Sequence, residues 1–250
     1  MKCFEIVAHR GIHDELPENT LDAFQRAIEL GADAVELDVR LTGDHVPIVF
    51  HSFYLDALTS TSGAIFDYTL QQLQNVRIFS KNERNANSFR ISTLDEVLET
   101  IGGKIGLEIE VKGPEPESTQ IVSDALCKFK HLWDGIEVTS YEPMLLWHIQ
   151  QRCPGLPTDL LFPRSEEWMK SDVVAYLAIQ RGRLARAHAV HLHPAQLSTE
   201  IVAAVQQHGI QVHACDVNDE KSLKLVAELG IPRICTDRFQ QAHEFRKRML

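Results

Sequence analysis

No apolar run in the 250-residue chain approaches the ~18 residues needed to cross a bilayer, so no transmembrane helix is expected. The opening stretch MKCFEIVAHRG is too short in apolar residues for a secretory leader and reads as a first core strand. Cysteine is scarce: Cys3, Cys127, Cys153, Cys215 and Cys235 are odd in number, widely scattered, and form no C-x-x-C pair. That excludes a zinc knuckle or a dithiol redox motif and suits a reducing, cytoplasmic setting. Positive charge is also short. Lys and Arg number 25 against 35 Asp and Glu, and a net charge of −10 argues against a nucleic-acid surface. The one basic cluster, Arg246-Lys247-Arg248, is explained by a solvated helix end beside its own dipole. There is no G-x-S-x-G elbow, Walker loop or G-x-G-x-x-G, which sets aside covalent serine chemistry, P-loop phosphoryl transfer and dinucleotide binding.

What is present is a steady alternation of short apolar runs and amphipathic segments, the mark of parallel βα units. Eight strands are expected: Glu5–His9, Ala34–Val39, Ile105–Val111, Ile136–Thr139, Thr158–Phe162, Ala189–Leu192, Gln211–Cys215 and Arg233–Thr236. Helices are expected over Thr20–Leu30, Thr93–Ile101, Glu117–Phe129, Glu142–Arg152, Glu200–His208 and Glu220–Leu229, several closed by a glycine just past the last turn. Eight such units in 250 residues predict one α/β domain over 1–250, a (β/α)8 TIM barrel. The rhythm breaks over residues 40–90, a long insertion after the second strand. It is expected to cap the C-terminal mouth, where barrel enzymes keep their active sites.

Glu36 and Asp38 share one face of the second strand, because residues two apart point the same way. Glu108, Glu110 and Lys112 repeat the arrangement on the third. Inward-facing acids repel and are costly to bury. Glu36, Asp38 and Glu110 therefore predict an all-oxygen site for one hard divalent cation, Mg²⁺ or Ca²⁺. Lys112 either meets an anionic substrate or balances the acids. His9 closes the first strand and His51 closes the apolar run Pro47–Phe50, a pair suited to acid–base work near neutral pH. Arg10 offers a planar fork for phosphate oxygens. A rival set, His188, His191 and His193 with Asp237, suggests a zinc amidohydrolase. That reading is weakened because a His-x-His pair is missing from the first strand.

The joint pattern resembles the glycerophosphodiester phosphodiesterases. It comprises Ala8-His9-Arg10-Gly11, Pro17-Glu18-Asn19-Thr20, Gly31 to Val39, Pro47-Ile48-Val49-Phe50-His51, Thr93 to Leu98, Glu110-Val111-Lys112, Thr139-Ser140-Tyr141, Val217-Asn218 and Thr236-Asp237. The resemblance implies a barrel, a divalent cation on Glu36, Asp38 and Glu110, acid–base roles for His9 and His51, and phosphate contacts from Arg10 and Lys112. It also implies hydrolysis of a small glycerophosphodiester to glycerol 3-phosphate and an alcohol. Three stretches depart from the family: His51-Ser52 in place of His-Asp, Leu55-Asp56-Ala57-Leu58-Thr59, and the segment around Cys215-Asp216. The departures leave open a barrel that binds phosphodiesters without turnover.

Overall fold

The computed structural model describes residues 4–79, 88–113, 115 and 117–249. Cys3 and residues 80–87 of the insertion lie outside the described residues. Among the described residues, eight parallel strands alternate with eight helices of the barrel. The strands are β1 (Glu5–Ala8), β2 (Ala34–Leu41), β3 (Gly106–Val111), β4 (Ile136–Ser140), β5 (Thr158–Leu161), β6 (Ala189–Leu192), β7 (Gln211–Ala214) and β8 (Arg233–Thr236). The helices are α1 (Leu21–Leu30), α2 (Leu94–Ile101), α3 (Ser118–Lys128), α4 (Pro143–Arg152), α5 (Ser171–Ala185), α6 (Thr199–Gln206), α7 (Glu220–Glu228) and α8 (Phe239–Met249). The fold is a (β/α)8 barrel.

The expected strands are all found, with ends shifted by one or two residues. His9, Phe162 and Cys215 fall just past their strands, while β2 runs on to Leu41 and β4 to Ser140. Helices α5 and α8 were not among the segments named from periodicity. Apart from Val174, the buried face of α5 is made of small residues, Ala175, Ala178, Gly182 and Ala185, so its apolar stripe is faint. Gly182 has a packing reason: a Cβ there would stand 3.0 Å from both Val190 and Ile210.

The chain divides into two compact units, one spanning His9–Ile136 and the other combining β1 with the chain from Glu137 onward. In the first, β2 and β3 pair in parallel with Glu36 opposite Glu108 and Asp38 opposite Glu110. Every residue of β2 is buried. That is the pattern of a strand covered on both faces. Helix α1 starts at Thr20, whose hydroxyl accepts the Ala23 N–H, and buries Ala23, Phe24 and Ala27. Helix α2 opens on a capping box between Thr93 and Glu96. In the second unit, β1 pairs with β8, and β4 to β7 pair successively with their neighbours.

The insertion has its own structure. Pro47–Val49 returns antiparallel along β2, setting Val49 against Val39. Ile48, Phe50, Leu55, Ile65, Leu73 and Ile78 then form a small separate core. That core holds the loop carrying His51 in a fixed path, although few of its residues follow a helix or strand period.

Candidate active site

Strand parity and register set the centre of the site. Glu36, Asp38 and Glu110 lie on like-facing positions of two paired strands and are buried to 4%, 0% and 7% exposure. Each can bring one oxygen within 4.8 Å of the other two. Burial, reinforced by Asp38, pushes the Glu36 carboxyl well above its ordinary range, and burial also raises that of Glu110. For Asp38, burial opposes the charge, but Lys112 and Arg10 outweigh it and hold the carboxyl at about 2.

Two side chains supply that counter-charge. Lys112 places Nζ 2.8 Å from Asp38 Oδ1 and 2.6 Å from Glu110 Oε1. Arg10 donates from Nη1 to Glu18 Oε1 at 2.9 Å and sets Nε 3.2 Å from Asp38 Oδ2. Its backbone N–H also donates to Glu36 Oε2 at 3.0 Å. Yet Glu36 Oε1 is buried with no hydrogen-bond donor. An orphaned carboxylate oxygen among three buried acids fits a bound cation, which would answer the repulsion and fill the missing contact.

The turn after β1 is built for this geometry. Arg10 and Gly11 both take left-handed backbone, at φ 54° and 80°. A Cβ on Gly11 would come within 2.8 Å of the Ala23 carbonyl carbon, so glycine is required on two counts. Asn19, also left-handed at φ 57°, fastens the turn to the acids. Its N–H donates to Arg10 O at 3.0 Å, its amide Nδ2 donates to Asp38 Oδ2 at 2.7 Å, and its Oδ1 accepts the Asp38 N–H at 3.1 Å.

His9 follows β1 directly and places Nε2 3.9 Å from Glu36 Oε2. His51 follows the Pro47–Val49 strand, and its carbonyl accepts from Arg40 Nε at 2.7 Å. Arg40 in turn lies over the Phe53 ring at 3.9 Å. Burial lowers the His51 pKa to about 4, with Arg10 and Lys112 adding to the effect against Asp38. His51 is therefore neutral at pH 7, with a lone pair available.

The seven residues expected to form the phosphodiesterase site lie within the His9–Ile136 unit, and hydrogen bonds and ion pairs connect six of them directly. Sequence reasoning missed three supporting residues. Asn19 and Glu18 stood inside the quoted Pro-Glu-Asn-Thr motif without being assigned work, and Arg40 followed the Glu-x-Asp pair on β2. The rival histidines do not gather as expected. His191 is buried on β6, whereas His193 lies beyond that strand and spends Nδ1 on the Ala195 N–H.

Residues 9–241 match the model of the glycerophosphoryl diester phosphodiesterase family. The chain belongs to this family. A glycerophosphodiester phosphodiesterase of Caldanaerobacter subterraneus subsp. tengcongensis is 30% identical over 242 residues, covering 93% of each chain. A protein of Silicibacter pomeroyi DSS-3 shares the fold with a TM-score of 0.84 at 20% identity, over 99% of this chain and 94% of that one. An Oleispira antarctica phosphodiesterase, solved in complex with the product sn-glycerol-3-phosphate, matches with a TM-score of 0.81 at 24% identity, over 97% of both chains. The chain is an enzyme, a phosphoric diester hydrolase of this family. The match replaces the zinc amidohydrolase reading. Among the described residues no helix is long and apolar enough to cross a membrane.

Asn19 gives a first test of the site's construction. Replacing it with Ala removes two bonds to a buried carboxylate residue and leaves a Cβ in left-handed backbone. We expect Asn19→Ala to lose about 2–4 kcal/mol in denaturant unfolding. Asn19→Gly should recover about 1 kcal/mol of that, because only the backbone cost is relieved. Equal stability of the two variants would show that the strained φ contributes nothing.

Proposed function

We propose that this phosphodiesterase cleaves a small glycerophosphodiester into glycerol 3-phosphate and an alcohol, with His9 and His51 as the acid–base pair. Glu36, Asp38 and Glu110 would hold one divalent cation, Mg²⁺ or Ca²⁺. The observation that carries this reading is the buried carboxylate trio with its orphaned Glu36 oxygen, set beside a histidine and two basic side chains. Bound there, the cation would supply Lewis-acid stabilisation of the charge that develops on oxygen.

His51, neutral at pH 7, accepts the proton of the glycerol 2-hydroxyl as that oxygen bonds to phosphorus. His9 donates a proton to the alcohol oxygen as its bond to phosphorus breaks. The product of this step is a cyclic phosphate, which water opens with the two histidines exchanging roles. Arg10 and Lys112 bind the non-bridging oxygens. Lys112 has three N–H donors and two carboxylate contacts, so one donor remains for phosphate. The 40–90 insertion caps the site through the loop bearing His51, and its altered segment Ser52–Leu58 sets the preference for the departing alcohol. A small diester of this kind and scattered cysteines without a C-x-x-C pair fit a cytoplasmic enzyme.

The test is cation binding. Glu36→Gln, Asp38→Asn and Glu110→Gln each remove one anionic oxygen. Each should weaken Mg²⁺ or Ca²⁺ binding at least about 10-fold by titration calorimetry. Chelator should abolish turnover of glycerophosphocholine, glycerophosphoethanolamine and glycerophosphoglycerol, and added cation should restore it. Unchanged cation affinity in all three variants would place the metal elsewhere.

A further inference from the structure

A second group of buried ligand-type side chains stands on four successive strands of the other unit. Glu137 of β4, Asp159 of β5, His191 of β6 and His213 of β7 can each bring a donor atom within 4.8 Å of the other three. All four are buried, Asp159 completely. Glu137 and Asp159 are the second residues of their strands, and His191 and His213 are register partners. None of the four has a role in the reaction proposed above.

Three of the donor atoms form a nearly equilateral triangle. His191 Nε2 and His213 Nδ1 each lie 3.2 Å from Asp159 Oδ2 and 3.2 Å from each other. Four-coordinate zinc holds nitrogen and oxygen ligands at about 2.0–2.1 Å, which puts neighbouring ligand atoms about 3.3–3.4 Å apart. The observed edges are close to that value before any ion draws the atoms into place.

Hydrogen bonding alone serves the triangle poorly. If both imidazoles donate to Asp159 Oδ2, their two N–H groups are crowded at 3.2 Å. If one imidazole donates to the other, the receiving nitrogen has no proton for the carboxylate and meets it lone pair to lone pair. A cation satisfies all three edges at once. Asp159 is already fixed as a ligand would be, since its Oδ1 accepts the Ala189 N–H at 2.9 Å. Glu137 is oriented by Arg233, whose Nε lies 3.4 Å from Oε1. Arg233 also pairs with Glu5 at 3.2 Å, which moderates its positive charge near the cluster.

We propose that Asp159, His191 and His213, with Glu137 as fourth donor, form a second metal site, separate from the reactive centre and selective for zinc. Two imidazoles and two carboxylates match zinc better than the hard cations suited to an all-carboxylate site. Four protein donors leave no open position for substrate, so the site is a structural clip across β4 to β7. His188, half exposed with Nδ1 3.5 Å from Asp159 Oδ1, marks the wet edge through which the ion enters.

The test uses the full-length chain with Glu36→Gln, Asp38→Asn and Glu110→Gln combined, so that the carboxylate trio contributes no metal signal. After chelator treatment and its removal, this variant should take up one Zn²⁺ by titration calorimetry and elemental analysis. With Co²⁺ it should show the intense visible bands of four-coordinate nitrogen–oxygen ligation. Zinc should also raise its unfolding temperature. Adding His213→Gln should weaken zinc binding at least about 100-fold, more than loss of an outer partner usually costs. Absence of zinc uptake, or weak octahedral cobalt bands, would overturn the proposal. So would zinc affinity unchanged by His213→Gln. The cobalt spectrum and thermal shift are read with both histidines intact, so they decide the matter even if the His213 variant does not fold.

Discussion

His9→Ala and His51→Ala should each lower kcat by about 10²–10⁴ while leaving the far-ultraviolet circular dichroism of the protein unchanged. The size follows from the task. Proton transfer by a placed imidazole is worth about 3–5 kcal/mol of barrier, and solvent replaces it poorly inside a part-buried site. Neither side chain carries a core: His9 and His51 are both part-exposed, so their removal opens no sealed cavity. The two variants should nevertheless differ. His51 is held neutral by burial, with its pKa near 4, and in the proposed mechanism its loss removes the group that takes the first proton. His9→Ala should be partly offset with substrates whose departing alcohol is already a good leaving group, because such an alcohol needs no proton. His51→Ala should show no such relief. Steady-state kinetics with an ordinary and an activated diester separate the two roles, and equal rescue of both would reverse or dissolve the assignment.

The carboxylate trio was legible in the sequence because it obeys strand parity. Glu36 and Asp38 alternate with Val35, Leu37 and Val39, and Glu110 repeats the pattern on the next strand. Pairing of β2 with β3 needed no information beyond succession, since consecutive βα units lie side by side. Asn19 was less legible. Its importance comes from a left-handed backbone and bonds to Asp38, 19 positions away, neither of which has a periodic signature. The zinc-type cluster was illegible for a related reason. Glu137, Asp159, His191 and His213 are scattered over 77 positions, and each alone reads as an ordinary strand residue. The sequence drew attention to His191 with His193, but those two part at the end of β6. Register, not spacing, brings His191 to His213. Helix α5 escaped because its inward face is mostly alanine and glycine, where close approach replaces bulk.

The substrate's own 2-hydroxyl should matter as much as any side chain. The site groups histidines, basic side chains and carboxylates, and the sequence carries no serine elbow or comparable nucleophile motif. The attacking oxygen must then come from substrate or water. An internal hydroxyl beside phosphorus has an advantage of about 7–11 kcal/mol at ideal geometry, and even about 4 kcal/mol of it corresponds to roughly 10³ in rate. We therefore expect 2-deoxy analogues of glycerophosphodiesters to bind as competitive inhibitors, since the phosphate contacts proposed for Arg10 and Lys112 do not involve the 2-hydroxyl. Their kcat should fall by at least about 10³. In the normal reaction a cyclic glycerol phosphate should be trapped at early times and seen by phosphorus NMR. It should accumulate further in His9→Ala with an activated diester, because ring opening still needs a base for the attacking water, the part His9 would take in the second step, after the first step has been relieved of its need for an acid. A deoxy analogue turned over at a comparable rate, with no cyclic species, would point to direct attack by water. In that case His51 would be the base for water and not for the glycerol hydroxyl, and His9 would remain the donor to the leaving alcohol. The deoxy experiment thus separates the identity of the nucleophile from the placement of the acid, which mutation of either histidine cannot do alone.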